Sequence, residues 1–193
     1  MPQTALHERA AESLEFIRDT MARSASFTAV PGRGGVAMGI VGIIAAVAAA
    51  RAPTTWVWLG VWLAAAVIAA PIALVAMQVK ARAHGVSLWA GAGRRFMQGF
   101  VPALAGGAIL TGGIVGAGRF DLLPAAWLLA YGAGVLAGAT ASVPLLTWMG
   151  VGIMVLGAGA TASAGRWGDL WLGAGFGALH VVFGIIIARK HGG

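Results

Sequence analysis

The chain has 193 residues, of which 59% are hydrophobic and only 10% charged, with a formal net charge of +7 and no cysteine. A soluble domain carries roughly 45–50% apolar and about 25% charged residues, so this composition excludes a water-soluble globule. The missing thiol excludes disulfides, Cys-ligated metals, iron–sulfur clusters and thiol catalysis. The Lys and Arg residues lie between apolar runs and form no basic stripe interleaved with aromatics, which argues against a nucleic-acid partner.

Residues 1–33 read as a cytoplasmic segment. Leu6, Ala10, Leu14, Ile17 and Met21 recur at helical spacing, and Glu8, Glu12, Glu15 and Asp19 form an acidic stripe almost opposite. A helix lying on anionic lipid presents Lys and Arg on its polar face, so the acidic stripe favours an interaction helix that packs on protein. Its expected partner is the bundle's own inner surface, an oligomer mate or a separate protein, with the basic loop around Lys80, Arg82, Arg94 and Arg95 as the complementary charge; binding to the membrane surface is the remaining alternative. The acidic residues also break the pattern of a cleavable signal, which leaves targeting to the first span.

Residues 34–190 contain six apolar runs, at 34–50, 56–78, 96–117, 122–141, 145–163 and 170–188. Crossing a hydrocarbon core of about 30 Å takes ~20 apolar residues, and strand-like alternation is absent. The fold expected is therefore an all-α integral membrane protein, a six-transmembrane-helix bundle of three hairpins behind the N-terminal amphipathic helix. The first run is short and rich in Ala and Gly, so five spans is the competing count. With six, both termini share one side, which collects ten of the thirteen Lys and Arg residues, against Arg51, Arg119 and Arg166 on the other. The positive-inside rule then puts both termini in the cytoplasm.

The three outer turns resemble one another: Ala117-Gly118-Arg119-Phe120-Asp121-Leu122 matches Ala164-Gly165-Arg166-Trp167-Gly168-Asp169-Leu170, and Ala50-Arg51 is followed by Thr54, Thr55 and Trp56. In each turn the Thr or Asp suits a helix N-cap; an outward-facing Arg–Asp binding site is the functional alternative. Trp56, Trp58, Trp89, Trp127, Trp148, Trp167 and Trp171 fall near span ends, the pattern of an interfacial aromatic belt, with Trp62 deeper.

Most of the 31 glycines lie inside the runs, where small residues let helices approach closely. Gly112/Gly116, Gly134/Gly138 and Gly173/Gly177 are representative small-xxx-small pairs, and they serve either internal packing or oligomerisation. His180 is the ionisable side chain expected near the middle of a span. It follows Gly173 and Gly177 and precedes Gly184 at spacings of four, three and four, which places it on a small-residue seam. Three readings compete for it: a neutral histidine hydrogen-bonded across the seam, a titrating group in a proton or ion path, or an axial ligand to haem or another pigment. No metal site and no nucleophile motif is read from the sequence.

The stretch Leu6-His7-Glu8-Arg9 through Phe16-Ile17-Arg18-Asp19-Thr20-Met21, followed by Ser26-Phe27-Thr28-Ala29-Val30-Pro31-Gly32 and Gly35-Val36-Ala37-Met38-Gly39, resembles uncharacterised bacterial multi-pass membrane proteins. The resemblance implies a bacterial inner (cytoplasmic) membrane and brings no activity or catalytic residues. The expected function is a non-enzymatic membrane scaffold, assembly or regulatory subunit acting through helix packing, in contact with the lipid bilayer and with a homo-oligomer or larger membrane complex. The alternative is a small transporter or channel with a path near His180. Haem or pigment binding comes third, and no cofactor is assigned.

Overall fold

A computed structural model describes Ser13, Leu14, Ile17, Met21, residues 26–163 and residues 165–191. Six of its helices are long and apolar enough to cross a membrane. They are α1 (Gly32–Ala49), α2 (Thr55–Ala83), α3 (Gly91–Gly116), α4 (Leu123–Ala139), α5 (Leu145–Ala162) and α6 (Gly168–Lys190). A 3₁₀ turn at Phe120–Leu122 leads into α4, and α6 changes to a π-helix over Gly173–Leu179 before resuming at His180. No strand is present among the described residues, so the chain is an all-α, multi-pass membrane protein in contact with lipid.

Helix ends follow local chemistry. Thr54 caps α2, its hydroxyl accepting from the Val57 amide at 3.2 Å. α2 closes at Gly85 and α3 at Gly118, both at positive φ (64° and 68°). In each case the next amide reaches back to a carbonyl in the last turn, Val86 to Ala81 and Arg119 to Ile114. That left-handed closing residue is cheap only for glycine. α2 and α3 overrun their apolar runs at the end carrying Lys80, Arg82, Arg94 and Arg95, because a helix continues into polar residues once it has left hydrocarbon.

The expected hairpins are only part of the packing. α1 packs on α2 and α3 on α4, but α6 packs more extensively on α1 than on α5, its hairpin neighbour. Two three-helix groups result, α2–α1–α6 and α3–α4–α5, with α1 and α4 central. Glycine explains which helices become central. Gly32, Gly35, Gly39 and Gly42 of α1 face Ala188, Gly184, Gly177 with Val181, and Phe176 of α6 at backbone distance. On α4, Gly134 and Gly138 admit Phe100, Ala103 and Phe96 of α3, while Gly132 meets Met154 and Gly150 of α5. Half of the α4 span is buried, against 6% for α3 and 17% for α2. Leu123 and Leu128 of α4, Ile153 of α5 and Leu172 of α6 are fully buried.

Close backbone approach makes the α1–α6 seam intolerant of side chains. A Cβ on Gly39 would sit 2.7 Å from the Gly177 carbonyl oxygen and the Val181 nitrogen, whereas one on Gly60 meets nothing within 4 Å. Gly39→Ala is expected to cost about 1–3 kcal/mol and lower the melting temperature in detergent. Gly60→Ala leaves it unchanged or raises it, because Ala favours helix over Gly by about 1 kcal/mol. Equal melting temperatures, read by tryptophan fluorescence, would refute the seam.

Candidate functional site

His180 is 3% exposed, and both ring nitrogens are engaged. Nδ1 lies 2.9 Å from the carbonyl oxygen of Gly175, and Nε2 lies 2.8 Å from the Tyr131 hydroxyl of α4. A carbonyl only accepts, so Nδ1 carries a proton, and in the neutral ring Nε2 accepts from Tyr131. Phe176 and Phe100 stand edge-on to the Tyr131 ring, with centroids 5.2 and 5.5 Å away. The reach to Gly175, five residues back, depends on the π segment.

The histidine ring reaches α4, while the glycines that share its spacing meet α1. Gly173, Gly177 and Gly184 do meet α1, at Ala46, Ile43 and Val36 respectively. The backbone carbonyl of His180 faces Gly35 across the same seam, but its ring turns to α4. Gly134 and Gly138 meet α3. Gly112 and Gly116 take no part in packing within the chain: an added Cβ at either meets nothing within 4 Å, because α3 carries them on its outward face. Of the interaction helix, Leu14, Ile17 and Met21 are helical and exposed, while Leu6, Glu8, Glu12, Glu15 and Asp19 lie outside the described residues.

Beside His180 and Tyr131 is a cavity of about 80 Å³ that receives side chains from all six helices, among them Met38, Met77, Phe96 and Met149. Its lining also includes Val30 and Pro31, the end of a strap that crosses one end of the bundle. The Phe27 amide donates to the Ala141 carbonyl at 2.7 Å, and the Ser142 hydroxyl donates to the Phe27 carbonyl at 2.6 Å. The buried Lys80 ammonium donates to the Val30 carbonyl at 3.0 Å. Phe27 is buried against Phe96, with centroids 5.3 Å apart. Reading residues 1–33 as helix plus linker missed the strap. The signal was the alternation of Phe27, Thr28 and Ala29, which bury, expose and bury.

A second polar cluster lies at the opposite, tryptophan-rich end. Asp169 is no N-cap: Trp167 takes that position with φ 65°, and the Asp169 carboxylate accepts from the indoles of Trp58 (2.6 Å) and Trp62 (3.1 Å). Asp121 is no N-cap either, being paired with Arg119 on the surface at 2.9 Å. Trp58 stacks on Trp127 at 5.7 Å, and the Trp127 indole donates to Thr111 at 2.8 Å. Trp171 donates to Ser163 at 3.0 Å. The aromatic belt is therefore divided: Trp56, Trp89, Trp148 and Trp167 are exposed as expected, while Trp58, Trp62, Trp127 and Trp171 use their N–H groups to join helices. The three outer turns are not equivalent: Arg119 and Asp121 pair within one turn, whereas Arg51 and Asp169 come from different turns and line one groove.

Axial ligation fits His180 poorly. The Nε2 lone pair is occupied by Tyr131, and 80 Å³ falls far short of the roughly 300 Å³ at which small-molecule pockets begin.

Removing the tyrosine hydroxyl in Tyr131→Phe strands a buried acceptor and is expected to cost about 1–2 kcal/mol. The combined Tyr131→Phe, His180→Ala chain should lose less than the sum of the two single losses, by about 0.6–1.7 kcal/mol. Strict additivity of unfolding free energies in detergent would show that the pair does not interact.

No family model, curated protein or solved structure matches the chain.

Proposed function

We propose that the chain is a non-enzymatic scaffold or assembly subunit that acts through helix packing, resident in a bacterial cytoplasmic membrane with both termini inside. The observation that carries this reading is the outward face of α3. Val101, Leu104, Ile109 and Leu110 are exposed there, and Gly106, Gly112, Gly113 and Gly116 meet nothing within 4 Å. Small residues on a lipid-facing helix leave room for the backbone of a second helix to approach. The polar groups inside the bundle support the same reading, since His180, Tyr131, Asp169 and Thr111 are engaged in joining helices. The ten-to-three distribution of Lys and Arg supports the sidedness.

The cavity beside His180 favours a second reading, a small channel or transporter, because every span contributes to its wall.

Native mass spectrometry in mild detergent separates the readings. The scaffold predicts a homo-oligomer or a co-purifying membrane partner that is lost in Gly112→Leu/Gly116→Leu and kept in Gly60→Leu, with all three chains equally stable. A wild-type monomer without partners overturns it. So does robust proton, K⁺ or Cl⁻ flux in proteoliposomes that disappears in His180→Ala.

The chain has no cysteine, so single introduced thiols report sidedness directly. Thr55→Cys should label only from outside and Ser87→Cys only from inside. Labelling of both from one side would overturn the topology.

A further inference from the structure

At the tryptophan-rich end, α1 and α6 diverge around small side chains and leave an open groove of about 790 Å³. Its walls are Ile43, Ala46 and Val47 of α1 and Leu170, Gly173, Ala174 and Ala178 of α6. The helices touch along its floor, where a Cβ on Gly173 would lie 2.9 Å from that of Ala46. From Arg51 to Ile43 the groove follows eight residues of helix and its last turn, or about 12 Å at 1.5 Å per residue. That is most of the ~15 Å depth of one leaflet. Ile43, Val47 and Leu170 are exposed along it, so it opens sideways into lipid.

The apolar walls end in one cation and one anion, Arg51 and Asp169. They do not form an ion pair with each other: Arg51 donates to the Val47 carbonyl at 2.7 Å, and one Asp169 oxygen accepts from both indoles. The indoles fix the carboxylate in place while its second oxygen takes no hydrogen bond from the described residues. The guanidinium likewise retains donors beyond the one given to Val47. An open apolar groove with a cation and a held carboxylate at its headgroup end matches a lipid that carries a phosphate and a primary ammonium.

We propose that this groove is a binding site for an aminophospholipid of the phosphatidylethanolamine type, with an acyl chain along α1 and α6, the phosphate at Arg51 and the ammonium at Asp169. The pairing of opposite charges distinguishes it from a site for an anionic lipid, for which Asp169 would be repulsive. It also distinguishes it from a helix-docking groove, which needs no charge at its end.

The test is full-length protein reconstituted in vesicles of equimolar phosphatidylethanolamine and phosphatidylglycerol, extracted in mild detergent, with retained lipid read by native mass spectrometry. Wild type should retain phosphatidylethanolamine preferentially. Arg51→Gln should weaken retention about fivefold, the scale of one partly exposed charge contact. Asp169→Asn keeps an amide oxygen for the indoles, so it preserves the fold while abolishing the preference for phosphatidylethanolamine over phosphatidylglycerol. Ala174→Leu narrows the channel without touching a charge and should lower retention of both lipids, which keeps the test decisive if Asp169→Asn does not fold. Retention unchanged in Arg51→Gln and Ala174→Leu overturns the site. Preference unchanged in a folded Asp169→Asn overturns the aminophospholipid assignment, and a dimer lost on Ala174→Leu would assign the groove to a second copy instead.

Discussion

The backbone contact between α1 and α6 is the constraint on which the rest of this bundle depends. In lipid there is no hydrophobic gain from bringing two apolar helices together, so association relies on close packing and on hydrogen bonds across helices. Gly32, Gly35, Gly39 and Gly42 supply the first by removing side chains from one face of α1 over most of its length. Pairing the first span with the last closes the bundle and fixes α1 between α2 and α6. The cavity lies beside the Gly35–Gly184 part of that seam, and the lateral groove opens beside it at the tryptophan-rich end.

Hydrogen bonds then select one arrangement among the many that a glycine-rich bundle permits. α6 is tied to α2 through Asp169, to α4 through His180 and to α5 through Trp171, while Trp127 ties α4 to α3. Each such contact contributes only about 0.6 kcal/mol on average. Their effect is orientational, since each holds a helix at one rotation and one depth. The exposed Arg119–Asp121 pair has no comparable role, because solvent screens it and both residues belong to one turn.

The spans could be read from the sequence because hydrocarbon thickness sets their length, and the six apolar runs differ from the helices mainly where α2 and α3 extend into polar residues. The glycine pairs were readable as packing faces but not as to partner. Gly134 and Gly112 have the same spacing pattern, yet one is buried against α3 and the other open, because that outcome depends on which helices become neighbours. Thr54 acted as the cap its type suggests, whereas Asp169 did not, because its carboxylate is engaged by the indoles of Trp58 and Trp62. Helical spacing put His180 on the seam with Gly177 and Gly184, and its carbonyl does face Gly35 there, but spacing fixes no side-chain rotamer and so did not show that the ring reaches Tyr131 of α4.

The π segment of α6 is held from both sides. Gly168–Leu172 is anchored by Asp169 to α2, and the helix from His180 onward is anchored by Tyr131 and by the contact of Gly184 with α1. Between the anchors, Gly173–Leu179 holds more residues per turn than an α-helix accepts. Converting it to α-helix would rotate one end against the other by about 100° per residue shifted. The indole–carboxylate and tyrosine–histidine bonds could not both survive that rotation. Their coexistence therefore stabilises a conformation that glycine-rich sequence alone leaves undetermined. It also links the charge at the mouth of the lateral groove to the ring beside the inner cavity through one continuous helix.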